Sequence, residues 1–285
     1  VIDVLIPKLP VAAWVDRIVE WMELHVKPLF TAVKAVIGAV VDSFDWLFHV
    51  IPPLLLIVIF TLLAYWLGRW KMALFTLIGF LLIENLGLWD HTMQTLALVI
   101  TAAVISVLFG VPLGILCARS NAVQRGITPI LDFMQTMPAF VYLLPAVSFF
   151  SLGVVPGVIA SIIFAIPPTI RLTNLGIRQV PRDLVEAADA FGSTPMQKLL
   201  KLQLPLAVPT IMAGINQTIM LALSMVVISS MIGAQGVGAD VYRAVTQAKI
   251  GVGFEAGLAI VILAIVLDRM TQNIIRTKER GRKQK

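Results

Sequence analysis

Residues 92–118, TMQTLALVITAAVISVLFGVPLGILCA, carry no charge over 27 positions. About 20 apolar residues in helix cross the roughly 30 Å hydrocarbon core of a bilayer, so this run is long enough to span one. Similar runs recur on both sides of it. Residues 51–68 are uncharged and end at Arg69 and Lys71, and residues 72–89 follow with only Glu84 interrupting them. Downstream, 128–151 holds Asp132 near its start, 154–174 holds Arg171 near its end, 204–232 is uncharged, and a last run covers about 255–272. The pattern predicts an all-α integral membrane protein with seven spans. The whole chain agrees, since its 285 residues are 59% hydrophobic and only 13% charged. A soluble domain is about 25% charged, and half that density cannot cover the surface of a water-soluble globule. Soluble, disordered and fibrous classes are thereby excluded. One cysteine, Cys117, leaves no internal disulfide and no thiolate metal cluster.

The charges give an orientation. Sixteen of the 22 Lys and Arg residues lie in 69–71, 119–132, 171–201 and 268–285, and the other six lie in 1–50, 84–90 and 240–255. Acidic residues divide six to ten, so the overall +6 separates into +10 on one side and −4 on the other. Cytoplasmic loops carry the excess of Lys and Arg. The N-terminus is then expected outside and the C-terminus in the cytoplasm, the parity that seven spans require. Such a balance carries no suggestion of nucleic acid.

Residues 1–50 differ from the rest. Val11, Trp14, Val15, Ile18, Met22 and Val26 share one helical face, with Asp16, Arg17, Glu20 and Glu23 elsewhere. That predicts an amphipathic helix over 11–26 lying in the outer membrane interface, with Trp14 and Trp21 at headgroup level. Residues 28–50 carry a polar stripe of Lys34, Asp42, Asp45 and His49, and are expected to form a second interfacial helix. Should they cross the membrane instead, the spans number eight. The expected layout is N-terminal interfacial helices at 1–50, two peripheral spans at 51–89, a core at 90–275 and a basic tail at 276–285.

The spans carry no energy-transducing chemistry. No phosphate-binding loop and no His-Glu-x-x-His motif is present, and the three histidines are scattered. No intramembrane relay of charges connects the two faces, and Asp132 reads as an interfacial carboxylate. The sequence therefore offers no catalytic residue, no metal site and no cofactor of its own, and the protein is expected not to be an enzyme. Work must come from a partner, and the polar stretch 175–203 is where one would dock. Pro181 suits a helix start, Asp183 sits in the first turn, and Gly192 is placed as a stop. Leu184, Val185, Ala187, Ala188 and Phe191 form a compact apolar face. Ser193-Thr194-Pro195 opens a second short helix carrying Lys198 and Lys201. Such an element is suited to act as a lever in a groove of a cytoplasmic motor domain.

Glu186-Ala187-Ala188, three residues, Gly192, nine residues, then Leu202-Gln203-Leu204-Pro205 resembles the EAA loop of ABC importer permeases, E-A-A-x3-G-x9-I-x-L-P, with Leu202 for Ile the one departure. The segments Gln135–Pro145, Gly214–Ile228, Gly236–Gly238 and Tyr242–Gln247 are similar to the glycine betaine/proline betaine permeases of that superfamily. The resemblance covers about residues 50–272. It implies the type I ABC importer permease fold in a bacterial plasma membrane, working as a homodimer. Two ATPase subunits would hold the ATP and Mg, and an extracellular or lipid-anchored binding protein would deliver glycine betaine or a related quaternary ammonium osmolyte. A permease for choline, carnitine or proline is the near alternative, and an ion-coupled secondary transporter the distant one. Under this reading Glu186, Ala187, Ala188, Phe191, Gly192, Leu204 and Pro205 couple to the ATPase. Gln135, Pro138, Phe140, Tyr142, Asn216, Gln217 and Ser224 are candidates for lining the path, with Pro138 and Pro145 as gate kinks. An aromatic face attracts a quaternary cation without stripping tightly held water. The tail from Arg276 is expected to anchor against membrane lipids, anionic ones included. Gly110-x-x-x-Gly114 and Gly153-x-x-x-Gly157 read as close-packing pairs.

Overall fold

The computed structural model describes residues 9–283, with side chains described as far as Asn273. Eleven helices follow one another among the described residues, joined by short turns. The basic tail from Arg276 lies outside the described side chains. By length and composition six helices are able to cross a membrane: α1 (Val11–Val50), α2 (Pro53–Asn85), α3 (Trp89–Arg119), α6 (Val154–Arg178), the run Pro195–Ser230 that contains α9 (Leu204–Ser230), and α11 (Ile250–Lys283) over Ile250–Asn273. A seventh candidate is a bent pair made by α4 (Asn121–Thr136) and the segment Ala139–Phe150, which meet at 106°.

The two spans expected at 51–68 and 72–89 are the arms of one hairpin, α2. Arg69 breaks the helix with φ 64° and ψ −169°. Phe60 and Phe80 then meet edge to face with ring centroids 5.4 Å apart. In a straight helix twenty residues would hold them about 30 Å apart, so the chain has doubled back. The second arm lies along α11, where Gly79 leaves room for Ile262, whose Cγ2 would stand 2.6 Å from an added Cβ.

The N-terminal region corrects the expectation of two interfacial helices. It is a single helix of 40 residues, and Pro28 sits inside it. Pro28 and Leu24 are both exposed, so the carbonyl that loses its hydrogen bond to the proline can find solvent or headgroups. The contacts of α1 share a pattern. Phe30 stacks on Phe149 at 4.4 Å, at the end of α5 (Leu143–Phe150). Gly38 faces Val155 at the start of α6, His49 Nε2 stands 3.9 Å from Asp90 at the start of α3, and Phe48 meets Phe60 of α2. The ends of α5, α6 and α3 that it touches all belong to one face of the bundle.

The centre of the bundle is α3, α6 and α9. Small residues let the backbones close. A Cβ on Gly114 would come within 2.5 Å of Thr173, one on Gly110 within 2.8 Å of Thr169, and one on Gly157 within 2.9 Å of Ser229. Gly153 instead has a φ of +137° with open space around it, so it serves the turn into α6 and only Gly157 of that pair packs. Buried hydroxyls link the helices: Thr169 and Thr218 share a bond of 2.7 Å, Thr218 donates to the Ala165 carbonyl at 2.8 Å, and Ser229 donates to the Gly157 carbonyl at 3.2 Å. Where lipid supplies no hydrophobic drive between helices, small residues and such bonds supply the association.

Candidate functional site

Between α6 and α9 the chain leaves the bundle and returns through three short elements. Helix α7 (Arg182–Ala190) begins one residue after Pro181, which takes the position preceding the helix, and carries Asp183 in its first turn. Its end follows from Gly192. With φ +74° there, Gly192 donates to the Asp189 carbonyl at 2.9 Å and Ser193 donates to the Ala188 carbonyl at 3.0 Å. This is the paired closure that a left-handed glycine permits at a helix C-terminus. Helix α8 (Pro195–Lys198) starts with a capping box between Thr194 and Gln197, which satisfies two orphan backbone donors at once. A π-turn, Leu199–Gln203, then leads into α9. Pro205 has no N–H for the Lys201 carbonyl, and the wider turn, with Leu204 N–H reaching the Leu199 carbonyl, eases the ring past it.

The apolar face expected on α7 divides into two. Val185 and Ala188 are half-buried against the protein, whereas Leu184, Ala187 and Phe191 point outward. Phe191 is 90% exposed, standing at the tip of the loop. Glu186 and Gly192 are exposed beside it. Leu204 and Pro205 are placed elsewhere. Both are half-buried in the first turn of α9, where Leu204 packs on Ile177, Leu199, Ala207 and Ile211. Beneath α7 lies a cavity of about 320 Å³ lined by Ala118, Arg178, Arg182, Val185, Glu186 and Gln203. The loop is braced at both ends. Arg178 donates to the Cys117 carbonyl at 2.7 Å and to Asn174 Oδ1 at 2.8 Å, and Lys198 pairs with Asp189 at 2.7 Å. These bonds tie the end of α6 to α3 and α7 to α8, which leads into α9.

The path candidates fall into two groups. Gln135, Pro138 and Phe140 are exposed on the broken span, and Gln217 and Ser224 lie on an outward stripe of α9 with Ala213 and Met220. Tyr142 and Asn216 are placed inside the bundle. The Tyr142 hydroxyl donates to the Met134 carbonyl at 2.7 Å. These are last-turn carbonyls of α4, orphaned because Pro138 cannot continue the helix. Tyr142 thus holds the break. Asn216 donates to Asp268 Oδ1 of α11 at 2.7 Å, and Gln272 donates to the same oxygen at 2.7 Å. Asp132 pairs with Arg171 at 2.6 Å, tying α4 to α6. The sequence reading did not single out Arg178, Asp268 or the cluster of His91, Asp240 and Arg243. In that cluster Asp240 accepts from the Arg243 guanidinium at 2.8 Å and stands 2.5 Å from His91 Nδ1. His91 and Asp240 lie 149 positions apart, so no local spacing points to them. Among the described residues no group of His, Cys, Asp or Glu is placed to hold a metal.

An exposed EAA-type helix, held between two core spans of an all-helical bundle, has close counterparts. Residues 110–280 match the model of the binding-protein-dependent transport system inner membrane component. The chain belongs to that family. It is 58% identical to the glycine betaine transport system permease protein OpuAB of Bacillus subtilis, over 97% of this chain and 98% of that one. It is 56% identical to the glycine betaine/carnitine transport permease protein GbuB of Listeria monocytogenes, over 94% and 96%. It is 47% identical to the glycine betaine/proline betaine permease ProW of Escherichia coli, over 96% and 77%. In fold, it is similar to a chain of the inward-facing MetNI methionine ABC transporter, with a TM-score of 0.61 at 23% identity, covering 67% of this chain and 95% of that one. The family matched is that of the resemblance carried by Glu186–Gly192.

Proposed function

We propose that this chain is the membrane-spanning subunit of an ATP-driven importer for glycine betaine and related quaternary ammonium osmolytes. The observation that carries the reading is 58% identity, over nearly the full length of both chains, to a glycine betaine permease. The coupling loop agrees with it. A large aromatic side chain on a stiff, capped helix has little to do in water, and it suits a cleft on an ATPase subunit. Two permease copies would enclose the path, with the stripe of Gln217 and Ser224 and the broken span at Phe140 facing it. ATP binding would draw two ATPase subunits together, and α7 would carry that motion into α3, α6 and α9. The solute, handed over by an extracellular binding protein, would pass weak polar and aromatic contacts, since tight binding would slow release.

The arms of α2, α3, the broken span, α6, α9 and α11 make seven crossings. Each α2 arm, near 16 residues, is about 24 Å long, and snorkelling Arg69 and Lys71 take up the mismatch. Helix α1 would lie along the outer face, because its neighbours are all ends of helices on one side. The N-terminus is then extracellular and the C-terminus cytoplasmic.

Reconstitution in liposomes with its ATPase and binding protein tests the function. ATP-dependent uptake of glycine betaine, competed by carnitine or proline betaine, is the expected result. Uptake driven by an ion gradient without ATP would overturn it. Labelling of a Trp46→Cys variant by an impermeant maleimide from outside the cell tests the placement of α1, and labelling only after permeabilisation would reverse it.

A further inference from the structure

The turn of the α2 hairpin is built unlike the rest of the periphery. Arg69 occupies the left-handed region at φ 64°, a conformation that costs a non-glycine residue roughly 1 kcal/mol or more and persists where its surroundings hold it. Around it Tyr65, Trp66 and Trp70 are 60%, 75% and 62% exposed, and Arg69 and Lys71 are exposed as well. The Lys71 ammonium lies 5.9 Å from the centroid of the Trp70 ring. Helix α11 closes one side. Asn273 Nδ2 donates to Met72 Sδ at 3.5 Å, and Arg269, one turn earlier, has a side chain 61% exposed. Among the described residues neither Arg69 nor Lys71 has a carboxylate partner. Among the described residues Arg269 pairs with Asp268 alone, at 4.0 Å from Oδ2, while Oδ1 of the same carboxylate accepts from Asn216 and Gln272.

Aromatic side chains with one apolar and one polar edge sit at headgroup depth. Of the three cations near that depth, Arg69 and Lys71 meet no carboxylate among the described residues and Arg269 has only the long pair to Asp268, which leaves a demand for an anion. A protein partner would need a surface that follows the bilayer interface, whereas a lipid phosphate is already there. The geometry points to a binding site for the headgroup phosphate of an anionic phospholipid, held by Arg69, Lys71 and Arg269 and walled by Trp66 and Trp70. The placement rests on the membrane reading and on the cytoplasmic side assigned to 69–71, and it is independent of what is transported. The strained turn has a use here, because Arg69 and Lys71 leave the hairpin side by side without a longer loop between them.

The test uses the assembled transporter in nanodiscs containing brominated phosphatidylglycerol or brominated phosphatidylcholine. Tryptophan quenching is compared between the wild type and W66F/W70F to isolate the share of these two rings. For the wild type that share is expected to be quenched several-fold more effectively by the anionic lipid. In R69Q/K71Q/R269Q the preference should fall by roughly fivefold per cation removed (about 1 kcal/mol each). An R69G/K71Q/R269Q variant relieves the strained φ and should show the same loss, which separates lost charge from a disturbed hairpin. A charge-conserving R69K/K71R variant should keep the preference. Equal quenching by both lipids in the wild type, or an unchanged preference in the neutralised variants, overturns the assignment. Displacement by millimolar glycerol phosphate in the buffer would also overturn it, by showing a site for free phosphate. None of these readouts depends on uptake, so their failure leaves the transport reading standing.

Discussion

The α6–α9 pair and the broken span between α4 and α5 are neighbours built on opposite principles. Along α6 and α9, glycines face threonines and serines, hydroxyls bond across the interface, and helix axes close to the limit that a missing Cβ permits. The broken span turns through 106° and is stapled by one phenol. Its outward residues Gln135, Pro138 and Phe140 touch little within this chain. Interfaces packed without slack move as units, while a break bridged by a single side chain can change its angle even where the helices on either side are anchored, as α4 is to α6 by Asp132–Arg171. The loop of α7 hangs from the first kind of structure. Under the proposed function, a motion delivered at Phe191 would be passed on as displacement of a rigid group, and the bend near Pro138 would be where the shape of the path alters.

The most severe way to sharpen this contrast is at the lever itself. Phe191→Ala should leave the permease folded, since the ring is almost fully exposed. It should weaken capture of the ATPase subunit by about 30-fold or more, the loss typical of a buried aromatic anchor at an interface (about 2 kcal/mol). Retention of the ATPase on affinity-purified permease measures it, and undiminished retention would detach α7 from the docking role. Gly114→Val tests the same close packing where α3 meets α6, the helix that the rigid pair shares with it. Its added carbons would lie within 2.8 Å of Thr173 and of the Ile170 carbonyl, and overpacking of that kind costs about 1–3 kcal/mol. A lowered thermal midpoint in detergent is expected, and an unchanged midpoint would show slack that the glycines were said to remove.

Tyr142→Phe addresses the broken span. Removing the hydroxyl leaves the Met134 carbonyl without its donor, at about 1 kcal/mol. The rate of uptake should shift while retention of the ATPase stays as in the wild type. A parallel loss of both would show that the break is not a separate moving part. The smallest effect is expected from Ser224→Ala. Its hydroxyl already bonds the Met220 carbonyl at 3.0 Å, so stability should change by less than about 0.5 kcal/mol. If the α9 stripe faces the path, the apparent affinity for solute is the quantity that moves. Stability and affinity that are both unaltered would remove Ser224 from it.

Much of this was legible in the residues. The uncharged runs identified helices because lipid demands about 20 apolar positions in a row. The pattern from Pro181 to Gly192 marked both ends of α7, because the proline start and the left-handed glycine are local requirements. The division of its apolar face was not legible. A helical wheel puts Val185 and Phe191 about 120° apart but does not say which of the two sides is covered, and only the position of α3 beneath the loop makes one a foot and the other a tip. For α1, the amphipathic face over 11–26 and the polar stripe over 28–50 suggested two elements. One helix forms because the proline happens to fall on the exposed side, a fact set by what lies beneath Ile37, Val41 and Phe48.

The sequence by itself determined the membrane class, the asymmetry of charge between the two sets of loops and the position of the α7 helix. Each of these depends on composition or on residues within a few positions of one another. Tertiary structure alone decided that Tyr142 serves the break and that Asn216 meets Asp268 across 52 positions. These are meetings of distant segments, and hydropathy, which depends on each residue's own preference for lipid or water, carries no information about which span stands beside which.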